Sequence, residues 1–268
     1  MAPSLKAEAV WASLSRLRDQ APLVHNITNA VVTNSTANAL LALGASPVMA
    51  DCTEEVEELV PAAAALVINL GTINSDSAAA MRLAAAKAQE AGVPWLLDPV
   101  AVGVLGYRTR VAGELLWHRP TAIRGNASEI MSLAGTAGGK GRGVDSTAGS
   151  RDALAGARSL AEATGAVVAV TGAVDLITDG ERVVECHNGD PMMTRVTGTG
   201  CAVSAIAGAF LAVEPDPLTA VAHALAVFGI AGEGAAESCN GPGSFQVKLL
   251  DLLFDLDRQL IADRVRLR

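Results

Sequence analysis

The sequence predicts an α/β protein with a mainly parallel central sheet, helices on both faces and a β-hairpin late in the chain, three layers in all. Three observations carry this. Short apolar runs of strand length alternate with longer Ala-rich segments of helical length. Each run is closed by Gly, Pro or polar residues. After residue 172 the rhythm changes to two β-rich runs around a tight turn.

Taken in order, the stretch VHNITNAVVTNSTANALLALGASPVMAD (24–51) gathers His25, two Asn and a Thr ahead of an amphipathic helix. ALVINL (65–70), VPWLLDPV (93–100), PTAIRG (120–125) and AVVAVTG (166–172) read as buried strands. Between them, SDSAAAMRLAAAKAQEAG (75–92) opens on a Ser/Asp cluster and ends on Gly, the start and stop signals of a helix. STAGSRDALAGARSLAEATG (146–165) repeats the pattern. Strand, helix, strand in this order implies right-handed crossovers, and ligands of such sheets bind beyond the carboxyl ends of the strands. AVDLITDGERVVECHNGD (173–190) reads as a hairpin turning at Asp179-Gly180, and three helices are expected after it: 199–212, about 217–236 and about 243–261. The Gly- and Ser-rich segment 133–150 reads as a mobile surface loop rather than a domain boundary, so one domain over 1–268 is expected.

Half of the residues are hydrophobic and 18% are charged, enough apolar material for a core and too little charge for disorder. Aromatics are only 3%, so small side chains must let helices lie close on the sheet. A formal charge of −8 with no basic stripe argues against nucleic-acid binding. The N-terminus lacks the apolar centre of a secretory signal, and stretches such as CAVSAIAGAFLAV fall short of the roughly 20 residues needed to span a bilayer. A soluble, cytoplasmic protein with no membrane partner is expected. Cys52, Cys186, Cys201 and Cys239 are scattered, without metal-finger spacing, and read as free thiols.

Two glycine-rich segments invite a nucleotide motif and fail it. GGKG (138–141) has Ala134 where a P-loop needs its first Gly and Gly141 where it needs Ser or Thr. GTGCAV (198–203) lacks the third Gly of the dinucleotide fingerprint. What Gly198, Thr199 and Gly200 offer is an anion cradle. The first amides of a helix starting there have no internal acceptor, and the aligned peptide dipoles add partial positive charge. Cys201 at that mouth is expected to have a lowered pKa and to serve as proton acceptor or nucleophile, or else to be a small buried filler. Asp98, Arg124 and Thr171-Gly172 end predicted strands and so share one rim. Asn126 follows as a helix N-cap with Glu129 three residues on, which is also the spacing of a capping box. Singly these residues are structural. Together, an Arg for phosphate, two carboxylates for a divalent ion and a helix-mouth cradle are the parts of phosphoryl transfer. His25 reads as a general base or as a hydrogen-bonding residue holding its loop, and Met49 as core or as a contact for an aromatic heterocycle.

The strings HNITN, SPVMA, INLGT, LDPVAVG, RGNASEI, VVAVTGAVD and VTGTGC occur in the order and spacing found in bacterial hydroxyethylthiazole kinases, and the chain resembles that family over roughly residues 10–260. The resemblance implies a ribokinase-like fold and Mg2+-dependent phosphorylation by ATP of the primary alcohol of 4-methyl-5-(2-hydroxyethyl)thiazole, in thiamine salvage. It implies that Met49 and Gly198 contact the thiazole with Asn26 and Gly71 nearby, and that Arg124 and Thr171, with Asn126 beside them, hold ATP. Asp98 and Glu129 then serve magnesium and phosphate, and Cys201, with Gly198, Thr199 and Gly200, forms the catalytic cradle. It further implies a homotrimer whose thiazole pocket is completed by a neighbouring subunit. Around TAGGKGRGVDS the chain departs from the family pattern by an extra Arg142. Three rival readings share parts of this: a kinase of a hydroxymethylpyrimidine, a cysteine hydrolase pairing Cys201 with His223 or His187, and a nucleotide-binding module without turnover.

Overall fold

The computed structural model describes residues 4–137 and 150–268. The glycine-rich segment from residue 138 to 149, with Lys140 and Arg142, lies outside the described residues.

The chain runs α1 (Ala7–Gln20), β1 (Leu23–Ile27), α2 (Thr33–Leu43), β2 (Ser46–Val48), α3 (Val56–Leu59), β3 (Ala65–Asn69), α4 (Ser75–Ala91), β4 (Trp95–Asp98), α5 (Gly106–Leu116), β5 (Ala122–Asn126), α6 (Ala127–Thr136), α7 (Ser150–Thr164), β6 (Val167–Thr171), β7 (Asp175–Thr178), β8 (Val183–Cys186), α8 (Thr199–Leu211), α9 (Pro217–Ser238), α10 (Pro242–Asp255) and α11 (Arg258–Arg264). The strands form one sheet in the order β2-β1-β3-β4-β5-β6-β7-β8. Every pair from β2 to β6 is parallel, whereas β6–β7 and β7–β8 are antiparallel. The expected class, with its late hairpin, is the one observed.

One hydrophobic cluster lies between the sheet and the face formed by α1, α2, α8, α9 and α10. A second lies between the sheet and α4, α5, α6 and α7. Because both faces are covered, β3 and β4 are apolar up to their last residues, Asn69 and Asp98, and buried at every position. Helix α8 sits directly on β3, since a Cβ at Gly208 would fall 2.4 Å from Val67 Cγ2. That close approach fixes where the first turn of α8 meets the sheet rim.

Several elements differ from expectation. The stretch around His25 and Asn26 is not a loop but β1, the strand next to the sheet edge, whose polar residues are buried, and Ser46–Val48 forms the edge strand β2. Leu133–Thr136 belong to α6 rather than to the glycine-rich segment. The last expected helix is two, because the Asp257 carboxylate caps a new one by accepting from Leu260 N at 2.7 Å. Helix α9 is long and apolar enough to cross a bilayer by composition, unlike the shorter stretch CAVSAIAGAFLAV, but it is a core helix, with His223 and most of its other side chains buried.

Candidate active site

The carboxyl ends of the parallel strands bring the expected polar residues to one rim. Asp98 ends β4 opposite Asn69 of β3, and Asn126 ends β5 opposite Thr171 of β6. Helix α6 starts from the same rim with the reciprocal cap that the N-x-x-E spacing predicts: Glu129 N donates to Asn126 Oδ1 at 3.0 Å and Asn126 N to Glu129 Oε2 at 2.9 Å. The other oxygen of Glu129 accepts from Ala101 N at 2.9 Å, so the carboxylate is held rigidly against the loop after β4.

Helix α8 points its first turn at this rim. Gly198, its N-cap, has φ +86°, and a Cβ there would also lie 2.6 Å from Val32 Cγ1. The Thr199 hydroxyl donates to Met193 O at 3.0 Å and ties down the preceding turn. No side chain caps α8, and among the described residues the amides of Thr199, Gly200 and Cys201 meet no acceptor. Arg124 joins this turn to the strands. Its Nη2 donates to Thr171 Oγ1 at 2.6 Å and its Nη1 to Gly200 O at 3.3 Å, and Nη1 stands 4.0 Å from Asp98 Oδ2. On one side of this arrangement opens a cavity of about 600 Å³, with Arg124, Thr171, Thr199 and Gly200 at its polar end and Met193, Val203, Leu225 and Phe228 along an apolar wall.

On the other side of the same turn lies Cys201. Its sulfur accepts from Asn29 Nδ2 at 3.4 Å and Asn69 Nδ2 at 3.3 Å. Asn69 Nδ2 also donates to Asp98 Oδ2 at 2.7 Å, Asn29 Nδ2 to Asn69 Oδ1 at 2.9 Å, and Ser204 Oγ to Asp98 Oδ2 at 2.8 Å. Burial pushes Asp98 up to about 6; Arg124 and the donors Ser204 and Asn69 pull it back, and Glu129 adds to the rise. Burial also raises the Cys201 thiol, and the Asp98 charge pushes the same way. The expected lowered pKa at the helix mouth is therefore overturned. The thiol is turned back onto the sheet rim, where desolvation and a neighbouring carboxylate outweigh the amide donors.

Other expected residues stand differently. Asn26 is 1% exposed; its Nδ2 donates to Val24 O at 2.9 Å and its Oδ1 meets no donor among the described residues. Gly71 is buried, and a Cβ on it would fall 2.7 Å from Asn29 Nδ2; its part is to make room for Asn29. Met49 follows β2 at the open edge of the sheet and is half-buried. His25 holds its surroundings as one of the two readings expected, with Nε2 donating to Ala50 O at 2.8 Å. Neither histidine of the hydrolase reading reaches the thiol: His223 bonds Ser13 Oγ and Ser4 O, and His187 bonds Glu185. Asn29 is one of the two Asn gathered with His25 in the sequence, whereas Asn69 and Ser204 were not singled out. Their signal was a polar residue inside an otherwise apolar run, INL for Asn69 and CAVSAIAG for Ser204.

The fold is ribokinase-like: a Staphylococcus aureus pyridoxal kinase solved with AMP-PCP and pyridoxal superposes with a TM-score of 0.60 at 15% identity, covering 80% of this chain and 88% of that one. The Hydroxyethylthiazole kinase family profile matches residues 14–259. A hydroxyethylthiazole kinase of Granulibacter bethesdensis is 58% identical over 253 residues, 94% of this chain and 92% of that protein. The structure of the hydroxyethylthiazole kinase protein from Pyrococcus horikoshii OT3 is similar with a TM-score of 0.91 at 45% identity, covering 97% and 98% of the two chains. The chain belongs to the hydroxyethylthiazole kinase family.

Proposed function

We propose that this protein transfers the terminal phosphoryl group of ATP to the primary hydroxyl of 4-methyl-5-(2-hydroxyethyl)thiazole, yielding the thiazole monophosphate used in thiamine biosynthesis. The observation that carries this reading is Arg124. One guanidinium touches the cavity wall at Thr171 and the first turn of α8 at Gly200, and stands beside Asp98. Phosphoryl transfer is governed by positioning and charge stabilisation, and these groups supply both. The α8 amides and Arg124 gather the phosphate oxygens, and Thr171 fixes the guanidinium. The acceptor hydroxyl lies on the Cys201 side, with Met49 and Gly198 against the thiazole ring.

Magnesium suits the donor set. The ion commonly keeps several waters and takes one or two carboxylates together with substrate phosphates, and Asp98 and Glu129 are two carboxylates on one rim, each fixed by hydrogen bonds to other groups. Asp98 and Glu129 would hold the ion, directly or through water, and when bound it would supply charge neutralisation to the phosphate. Cys201 lines the acceptor side as a neutral thiol whose sulfur already accepts two amide N–H groups; a strong base is not needed when little bonding to the nucleophile has developed.

The proposal extends to a homotrimer in which a neighbouring subunit completes the thiazole pocket. Met49 lies at the open edge of the sheet, and Val31 and Leu41 on the adjoining loop and helix are 63% and 58% exposed. The reading is tested by incubating purified protein with Mg-ATP and a panel of heterocyclic and sugar alcohols. Phosphorylated thiazole alcohol as the dominant product is expected. A hydroxymethylpyrimidine as the preferred acceptor, or ATP bound without turnover, overturns it.

A further inference from the structure

The cavity beside Arg124 contains a carboxylate that phosphate binding leaves without a task. Asp175 begins β7 and lines the cavity. Continuing the β6–β7 register, Val170 opposite Leu176, places Asp175 across from Thr171, and the next step across the sheet is Cys186 on β8. Residues directly opposite in an antiparallel pair point to the same face, about 5 Å apart. Thr171 and Asp175 therefore form a row on the α8 and α9 side of the sheet, leading away from the first turn of α8.

The hydrogen bonds of Asp175 are half spent. Oδ1 accepts from Gly172 N at 2.9 Å, which holds the turn between β6 and β7, and among the described residues Oδ2 accepts from no donor. Partial burial pushes the acid up to about 6, against the pull of the Gly172 amide and Arg124, so it is a carboxylate at neutral pH. Asp190, the other carboxylate on the cavity wall, likewise accepts one backbone N–H, from Met192 N at 2.7 Å, but it does not share the row with Thr171.

A carboxylate oxygen can only accept, so it repels phosphate and suits a hydroxyl donor. Its place agrees. The polar end at Arg124, Thr171 and Gly200 takes phosphate, the apolar wall at Met193, Leu225 and Phe228 takes a base, and Asp175 lies in the same lining one strand beyond Thr171. We infer that Asp175 accepts a hydrogen bond from the ribose hydroxyls of the nucleotide and makes the kinase selective for ribonucleotides over deoxyribonucleotides. This rests on the ATP reading of the cavity.

The test compares kcat/KM for ATP, 2′-deoxy-ATP and 3′-deoxy-ATP in the wild type and in Asp175→Ala and Asp175→Asn. A hydrogen bond to a charged acceptor predicts that the wild type prefers ATP over at least one deoxy form by roughly tenfold or more. In Asp175→Ala that ratio falls close to one, and in Asp175→Asn, which keeps an acceptor oxygen, it falls part of the way. Loosening the turn at Gly172 slows all three nucleotides alike and leaves the ratio intact, so the ratio reads the contact and not the fold. Equal use of ATP and both deoxy forms by the wild type, or an unchanged ratio in Asp175→Ala, overturns the inference while the kinase reading stands. Absence of turnover with every nucleotide overturns both.

Discussion

The two sides of the first turn of α8 use polar groups in opposite ways. On the cavity side the amides of Thr199 and Gly200 are unspent, and the cavity is open along an apolar wall. On the thiol side each donor of Asn29 and Asn69 has an acceptor, and Asp98 Oδ2 takes two donors at once. Unspent donors suit a ligand that arrives and leaves, because they cost nothing in water and gain partners only when it binds. A closed network suits groups that must stay fixed while the chemistry happens, since a satisfied network in a low-dielectric site holds its geometry. One helix end thus separates a surface built for exchange from a scaffold built for alignment.

The contrast breaks most severely at Asp98. Asp98→Asn keeps an oxygen for Ser204 and Asn69 but removes the charge, and kcat/KM is expected to fall by roughly 10²–10³-fold. The melting temperature at neutral pH should not fall, since burial already disfavours the charge. Near-normal activity would show that the network serves only packing. Next comes Gly198→Ala, which forces a left-handed conformation on a residue with a Cβ and drives that Cβ into Val32; it is expected to cost about 1–2 kcal/mol in thermal unfolding, with activity falling as the turn tilts.

Cys201 sharpens the comparison with a smaller effect. Cys201→Ala should keep measurable turnover, losing no more than about a hundredfold. Cys201→Asp offers a carboxylate to the same two amides and should support or raise turnover. Complete loss in both variants would show that the thiol takes part in the chemistry beyond lining the acceptor side.

The smallest effect concerns the buried histidines. Burial lowers the pKa of both His25 and His223, and protonated His25 would carry an N–H at Nδ1 with no acceptor. Both are neutral in the fold and take up protons on unfolding below about pH 6.5, so they draw stability away as the pH falls through that value. His25→Gln should lose less melting temperature between pH 7.5 and 5.5 than the wild type, with kcat changed by less than about twofold in kinetics at pH 7.5.

The rim was legible because strand ends announce themselves. Asp98, Arg124 and Thr171 each follow a β-rich run, and the N-x-x-E spacing of Asn126 and Glu129 is a local signal that the backbone obeys. The strand β1 was not legible, since an interior strand carrying His25 and Asn26 breaks the apolar pattern, and the backbone oxygen that holds His25 comes from Ala50, 25 residues on. The Cys201 thiol failed for a related reason. The helix mouth is a local feature, but burial and the Asp98 charge come from other strands and dominate it. The partners of Cys201 lie 172 and 132 residues away, and no spacing rule reaches so far.

The central claim is that Arg124 and the open turn of α8 together hold the nucleotide phosphates, apart from the acceptor alcohol. Steady-state kinetics of Arg124→Ala with ATP and the thiazole alcohol varied in turn test it directly. Loss of this charged hydrogen-bond donor is expected to raise the KM for ATP by about tenfold or more and to move the KM for the alcohol by less than about threefold. A KM for the alcohol raised further than that for ATP would contradict it and place Arg124 on the other side of the turn.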